Sequence, residues 1–590
     1  MTATLEGTTT GATPVATATG SVPDAIDAID ATEAAWRLPS PPTDAERTWY
    51  LGRQHRWLLV LQSVSFLLIA VSATQFSVAD QRLLLFLVPL SLFGVTMAVS
   101  FVSGSRRRRV SLASHEALVR SWSPAVVPSV DVFLPTAGEP LDVLANTYRH
   151  VAALVWDGPL RVLVLDDAAR PEVRTLAEAH GFEYHVRPDR GRLKKAGNLR
   201  YGYEHSDGDV IAVLDADFVP RPDYLHDLVP YLDDARVGIV QSPQFFDAVR
   251  GMGWLQRCAG ATQEMFYRWI QPARDASDAA ICVGTCALYR RSALRDAGGF
   301  AQIGHSEDVH TGIGLLRAGY VVRYVPVVVS KGLCPEDVRS FVTQQYRWCT
   351  GSMSLLADPA FHDRTPLSLR QRLCFWAGFL YYISTGVNAF VAPLPALVML
   401  WAFPAWIEPM NSVWLLGAVA LWLVVNPLVM RGRWRIDVLR VQILYSFAHA
   451  VAIAHVLSGR TKEWVATGTA GGVGRRTPLA TTIVRTATLT VAVTQALLWT
   501  GLVHGVLTYG LGPLWAMLLL AALSAYVQWP LVAAGLRDGA ARRAAPALAP
   551  APVTALTAAG AEPVTLAAPV TLAEPVTPAV PAAAPVAVTP

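Results

Sequence analysis

The chain has 590 residues, 52% of them hydrophobic and 16% charged, and its mean hydropathy is +0.34. Such values exclude an ordinary soluble protein of this size and indicate a membrane protein. The small formal charge of +4 argues against a nucleic-acid partner. Six cysteines occur, none at metal-ligand spacing; Cys282 and Cys286 stand alone and read as reduced thiols.

Residues 1–50, rich in Thr, Ala, Gly and Pro, predict a disordered amino-terminal tail without a signal peptide. Two apolar runs, Trp57–Phe76 and Leu83–Val102, each match the roughly 20 residues that a membrane-crossing helix needs, so a transmembrane hairpin is expected over 55–104. Arg53, Arg56 and the cluster Arg106–Arg109 flank it, while the link around Asp80 is nearly free of positive charge. Both ends of the hairpin are therefore expected on the cytosolic side.

From 125 to 336 short β-branched runs (VDVFLP, RVLVLDD, DVIAVLDAD, VGIVQSP) alternate with helix-length stretches. That alternation predicts a parallel, doubly wound α/β sheet with ligands at the carboxyl ends of its strands. Residues 337–365, with a helical apolar period through QQYRWCTG, predict an amphipathic interface helix. Over 370–537 hydrophobicity returns: Leu373–Phe403 with Pro393 and Pro395, Val413–Met430, Ile483–Leu507 and Leu514–Leu536 read as crossings, and 436–458 as an interfacial helix carrying Asp437, Arg440, His449 and His455. Six crossings in all keep Arg431, Arg433, Arg435, Arg475, Arg476, Arg537, Arg542 and Arg543 on the inner side. Residues 538–590, with variations on EPVTLAAPVT, predict a disordered Pro/Ala-rich tail.

Candidate chemistry lies at the strand ends. Asp166 and Asp167 end one strand, and Asp215 and Asp217 end another. Carboxylates two residues apart share a side of the chain, can hold a hard divalent cation, and through it can stabilise a nucleotide diphosphate as leaving group. An Asp-x-Asp alone would read as a solvated acidic turn; its position at the end of a buried-type strand reverses that preference. Lys194, Lys195, Gly197 and Asn198 supply cations and an amide at a helix start, or form a basic surface turn. Thr136 and Glu139 in PTAGEP could contact a base or ribose, or simply close a turn.

Asp308 follows Glu307 at the start of a helical stretch, where an acid is also a routine cap; a carboxylate in this crevice could equally serve as the base for a sugar hydroxyl. Arg347 suits a phosphate, Gln344 a hydroxyl, and Trp348 either sugar stacking or membrane anchoring. Trp376, Tyr381, Tyr382 and Trp401 are candidates to line a path between the helices.

PTAGEP, LDD, KKAGN, DAD, SEDVHTG with AGYVVRYVP, and QQYRW together resemble the processive family 2 glycosyltransferases, most closely the cellulose synthases of the bacterial catalytic-subunit type. The likeness runs in order and spacing over residues 55–535, and the QxxRW element after an acidic SED is its most specific part. It implies a glycosyltransferase A-type α/β domain inserted in an α-helical polytopic plasma-membrane protein, with the catalytic domain and both termini cytosolic. It further implies UDP-glucose as donor, Mg2+ or Mn2+ as cofactor, a growing polysaccharide as acceptor, and accessory export or wall-modifying proteins as possible partners. Carried over by position, Asp308 is the general base; Thr136, Glu139, Asp166, Lys195, Asp215 and Arg347 contact the donor, with Asp166 on the uridine portion; Asp215 and Asp217 hold the metal. Gln344, Trp348, Glu307, Gly284 and Thr285 then face the acceptor, and Trp464 and Thr467 belong to a gating-type loop over 460–475.

The sequence departs from the family in places. ICVGTCALYRR has Val283 where the family carries a cysteine, and Ser306 opens the SED. No segment after the last crossing reads as the cyclic-di-GMP-binding barrel of many bacterial cellulose synthases, which implies different regulation. The expected function is a processive inverting synthase of a β-linked glucan, β-1,4 and cellulose-like, extruded through the chain's own channel. Synthesis of a mannan, chitin or hyaluronan type of polymer, non-processive charging of a lipid, and a transporter or scaffold with an inactive domain stay open as alternatives.

Overall fold

The computed structural model describes residues 38–52, 57–246, 252–335, 337–425, 436–460 and 478–544. Ten strands occur in the described part: β1 (Val130–Thr136), β2 (Leu160–Asp166), β3 (Glu183–His185), β4 (Val210–Val213), β5 (Val219–Pro220), β6 (Val237–Gln241), β7 (Phe245–Phe246), β8 (Ala287–Arg290), β9 (Val321–Tyr324) and β10 (Ser330–Gly332). Seven pair in the order β3-β2-β1-β4-β8-β6-β9, and β5-β10-β7 form a small second sheet. β1 is buried along its whole length, as expected of a central strand covered by helices on both faces.

The large sheet is parallel apart from β8, which runs antiparallel to both β4 and β6. The expected all-parallel sheet is thus a mixed one. Gly284 (φ +77°) and Cys286 (φ +52°) adopt left-handed backbone just before β8 and turn the chain back into the sheet.

Residues 38–51 depart from the expected disordered tail. Thr43 caps the helix Asp44–Arg47 in a reciprocal arrangement with Glu46, and Tyr50 and Leu51 are buried in the core of the α/β domain. Arg47 donates to Asp227 from Nε at 2.8 Å, Lys331 pairs with Glu46 at 3.1 Å, and Asn146 Nδ2 donates to Pro39 O at 2.9 Å.

Among the described residues six helices are long and apolar enough to cross a membrane: Val60–Val78, Gln81–Gly104, Leu369–Ala402, Val438–Leu457, Pro478–Tyr509 and Trp515–Arg537. The third divides at Pro393 into Leu369–Val391 and Leu394–Ala402, as an internal proline requires. The fourth is the segment expected at the interface. Its polar groups instead point into the protein: His449, fully buried, bonds Thr385 at 2.8 Å, and Arg440 Nε donates to Val527 O at 3.2 Å. Val413–Met430 is described only in part, as the shorter helix Pro409–Ala420 and a wider turn Leu421–Val425. Trp464, Thr467, Arg431, Arg433, Arg435, Arg475 and Arg476 lie outside the described residues.

Candidate active site

The carboxyl ends of β1, β2 and β4 meet at one end of the sheet, with Thr136 directly opposite Asp166. Thr136 Oγ1 and Ala137 N both donate to Glu139 Oε2, at 2.6 and 2.8 Å, and Gly138 at φ +116° permits the turn. Thr136 and Glu139 border a large cavity. Asp166 does not. Its oxygens accept from Ala168 N (2.9 Å), Arg170 N (2.8 Å) and Tyr184 OH (2.9 Å), and the residue is fully buried. The expected uridine contact at Asp166 is therefore occupied with closing the turn after β2. Its neighbour Asp167 borders the cavity instead, because successive residues leaving a strand point to opposite sides. Arg187 grips Asp167 with Nε at 2.7 Å and Nη2 at 2.8 Å.

KKAGN opens the helix Lys194–Glu204. A side chain at Gly197 would collide with Arg187 and with Arg192 O, so glycine lets the guanidinium lie across the helix. Asn198 ties the helix to the sheet by donating to Leu165 O at 2.9 Å and accepting from Arg187 Nε at 3.0 Å. Lys195 Nζ donates to Asp215 Oδ1 and, at 2.7 Å, to Gly284 O, with Glu307 at 3.9 Å. Burial works against this ammonium, but Asp215, Glu307 and Asp308 outweigh it and hold its pKa above the usual lysine value.

Asp215 and Asp217 follow β4, and both border the cavity. Burial first, then Asp215 and Glu139, push the Asp217 carboxyl up to about 7. Gly284 and Thr285, expected at the acceptor, are buried behind this layer and do not border the cavity. Thr285 Oγ1 accepts from Asp215 N at 2.9 Å, and Gln241 fixes the loop by donating to Thr285 O (2.8 Å) and accepting from Val283 N (2.9 Å). A side chain at Gly284 would meet Asp308 Cβ at 3.0 Å. The pair thus packs against Asp215 and Asp308.

Glu307 and Asp308 form the first turn of the helix Glu307–Arg317, after Ser306 in left-handed conformation (φ 49°). Asp308 Oδ1 accepts from its neighbour Val309 N at 2.8 Å. Burial, then Glu307, push the Asp308 carboxyl up to about 7, with Lys195 acting in the other direction. QQYRW lies on the helix Val338–Ala357, whose cap Asp337 accepts from Arg339 N (2.8 Å) and Ser340 N (2.9 Å). Gln345, Tyr346, Cys349 and Thr350 are buried, while Gln344, Arg347 and Trp348, one turn apart, border the cavity. Burial lowers the pKa of Arg347, and the charges of Glu307, Asp215 and Asp308 oppose that shift.

One cavity of about 900 Å³ joins these groups and continues between the apolar helices, where Gln62, Ser65, Ser100, Tyr381, Tyr382 and Tyr445 border it. Trp376 and Trp401 do not border it; they are 40% and 52% exposed on the outside of the helices. Arg187 and Gln241 were not singled out from the sequence, since nothing local marks a buried arginine or a glutamine ending a strand, and nothing local tells which of Asp166 and Asp167 faces the cavity.

Among the described residues no group of three or more His, Cys, Asp or Glu side chains is arranged to hold a metal ion. A magnesium-type ion needs fewer, because one or two carboxylates and the substrate's phosphates complete its shell. Asp215 and Asp217 fit that pattern: burial first, and then the nearby Asp215 and Glu139 carboxylates, raise the pKa of Asp217, and a divalent cation there would favour its charged form.

Residues 210–431 match the family described as glycosyl transferase family group 2. With the mixed α/β sheet, this marks residues 210–431 as similar to family 2 glycosyltransferases, in a chain that also carries helices long and apolar enough to cross a membrane. The chain is related to the catalytic subunits of bacterial cellulose synthases. It is 32% identical to the UDP-forming cellulose synthase 1 catalytic subunit of Komagataeibacter xylinus over 43% of this chain and 34% of that protein. It is 33% identical to the corresponding subunit of Pseudomonas fluorescens strain SBW25 over 44% of this chain and 36% of that one. The matched region thus spans about a third of these relatives' length. Among solved structures, a mannosyltransferase from Pyrobaculum calidifontis in complex with GDP-mannose and Mn2+ is 18% identical with a TM-score of 0.42, covering 67% of this chain and 99% of that one.

Proposed function

We propose that this chain is a processive, inverting glycosyltransferase that builds a β-linked glucan, β-1,4 and cellulose-like, from UDP-glucose on the cytosolic side and threads it through its own membrane helices. The observation that carries this reading is the single cavity: it begins at the carboxylates Asp215, Asp217, Glu307 and Asp308, passes Gln344 and Trp348, and runs on between the spans. A polymer can therefore stay bound while its end is extended.

In the proposed reaction Asp308 takes the proton from the acceptor's terminal hydroxyl. That oxygen forms a bond to the anomeric carbon as the bond to UDP breaks on the opposite face, so an α-linked donor yields a β-linkage. Lys195 and Arg347 face the diphosphate and offset its developing charge. A bound Mg2+ or Mn2+, held by Asp215 and Asp217, supplies further neutralisation of the leaving group. Trp348 stacks on the new terminal sugar and Gln344 bonds a hydroxyl, which orients the next attack.

The test is a donor panel on purified membranes followed by digestion with linkage-specific glucanases. UDP-glucose should give a long product sensitive to a β-1,4-glucanase. A product from another nucleotide sugar would reassign the polymer, and a single sugar on lipid would overturn processivity.

A further inference from the structure

The turn that carries Asp215 and Asp217 is held from behind by three elements. On the helix Leu141–Val151, Thr147 Oγ1 donates to Ala216 O at 2.8 Å. β5 continues directly from the turn, which Phe218 N closes by donating to Asp215 O at 3.0 Å. β10 lies alongside, with Lys331 opposite Val219 and Ser330 opposite Pro220. A Cβ at Gly332 would run into the Phe218 ring, so only a glycine lets β10 approach the turn this closely. The next residue, Leu333, borders the cavity and gives a backbone hydrogen bond that favours the ionised Asp217 carboxyl.

One short stretch ahead of the first membrane-length helix grips all three. Asn146, next to Thr147, donates from Nδ2 to Pro39 O at 2.9 Å. Arg221, the residue after β5, donates from Nη1 to Pro42 O at 2.6 Å and from Nη2 to Asp44 at 2.9 Å. Its own N donates to Val329 O at 2.9 Å and ties β5 to the start of β10. Val328 N donates to Arg47 O at 3.0 Å, and Lys331 Nζ donates to Glu46 Oε2 at 3.1 Å.

Lys331 is the unusual member of this set. It lies in the middle of the small sheet with 3% of its surface exposed, and a buried ammonium persists only beside an opposite charge. Apolar residues of similar size would hold such a sheet at least as well. The lysine instead makes the seating of β10 depend on a carboxylate that the amino-terminal stretch brings. Glu46 is itself fixed, because Thr43 N and Thr43 Oγ1 donate to its Oε2 at 3.0 and 3.1 Å.

We infer that Glu46 and Lys331 are positioning residues of the donor site: by holding β10, they set where the Asp217 carboxylate stands and so how tightly the turn takes a divalent cation with a nucleoside diphosphate. The inference rests on the reading above in which Asp215 and Asp217 hold that cation. Neither Glu46 nor Lys331 borders the cavity, so both act through the strand.

Mn2+ binding to the purified full-length protein in the presence of UDP, followed by electron paramagnetic resonance, tests it. Glu46→Gln strands the Lys331 charge and should weaken Mn2+ binding about tenfold, the lower end of what residues supporting a metal ligand cost. KM for Mn2+ and for UDP-glucose should rise, with kcat at saturating Mn2+ within about twofold of wild type. Should Glu46→Gln fail to fold, the double variant Glu46→Gln with Lys331→Met decides, since removing both partners leaves no buried charge stranded. It should unfold at the wild-type temperature and still bind Mn2+ about tenfold more weakly. Wild-type Mn2+ affinity in either folded variant would overturn the inference and leave the cation site standing. Asp217→Asn is the reference: wild-type affinity there would overturn the cation site and the inference with it.

Discussion

Ser306 occupies the space that a side chain at Gly351 would need: a methyl group there would run into its Oγ and Cβ. The contact seats the turn carrying Glu307 and Asp308 directly on the helix carrying Gln344, Arg347 and Trp348, so it fixes the proposed base relative to the proposed acceptor platform. Gly351 is itself on the buried side of the helix, so Gly351→Ala should overpack the contact and force the two apart. Displacement of about 1 Å at a catalytic group costs on the order of 100-fold in rate. The expected outcome is a kcat lower by about that factor, measured by UDP release on purified protein, with a destabilisation of about 1–3 kcal/mol from the overpacked contact. A kcat within twofold of wild type would mean the two elements adjust independently.

The Asp308 carboxyl, pushed up to about 7 by burial and then by Glu307, must be ionised to accept a proton. Activity should thus rise about tenfold per pH unit below 7 and level off above it. Saturating Mg2+ should take Asp217 out of that titration, since a bound cation favours its ionised form. Asp308→Asn should cut transfer by roughly 100-fold to 10,000-fold and leave UDP binding largely intact. The same shift has a consequence for stability. Between its ordinary value of 3.8 and about 7 the folded state holds more protons than the unfolded one, so stability falls as pH rises through that window. Asp308→Asn should accordingly raise the unfolding temperature of the ligand-free protein at pH 8 and change it little at pH 4.

Thr285 separates a supporting role from an acceptor-binding one. Its hydroxyl accepts from Asp215 N at 2.9 Å from a fully buried position. Thr285→Val keeps the shape and removes the acceptor, at a cost of about 1–3 kcal/mol for the stranded amide. KM for the nucleotide sugar should rise, because Asp215 is on the donor side in the proposed reaction, while dependence on added oligosaccharide stays unchanged. The reverse pattern would restore Thr285 to the acceptor site.

What could be read in the sequence follows from how local its physics is. The runs VDVFLP, RVLVLDD and DVIAVLDAD became β1, β2 and β4, with Asp166 closing β2 and Asp215 and Asp217 following β4, because burial and strand period are properties of a few consecutive residues. The antiparallel course of β8 was not legible, since ALYR has the same pattern in either direction. Asp166 and Asp167 look alike in sequence; only the turn after β2 decides that the first bonds Ala168 and Arg170 and the second faces the cavity. Arg440 and His449 suggested an interfacial helix because their partners, Val527 and Thr385, lie on distant helices. The docked segment 38–51 was hidden for the same reason, its main ionic partner being 180 residues away.

That partner, Asp227, supports a last prediction. Its side chain is 2% exposed, and it receives Arg47 from the amino-terminal segment and, at 3.0 Å, His115 Nε2. Burial alone would raise its pKa, but the hydrogen bonds from Arg47 and His115 prevail and hold the carboxyl below its ordinary 3.8. Removing one partner of a buried ion pair costs about 3–5 kcal/mol; the value for Arg47→Met should lie at the lower end, because His115 remains. A carboxyl with a depressed pKa contributes stability that is present above its unfolded value and lost as pH falls through the folded one. The gap in unfolding temperature between wild type and Arg47→Met should therefore be full at pH 6–7 and close as the pH drops below about 4. Thermal unfolding of detergent-solubilised protein across that range measures it. A gap that persisted undiminished at pH 3 would show that the segment is held by the packing of Tyr50 and Leu51, not by this charge.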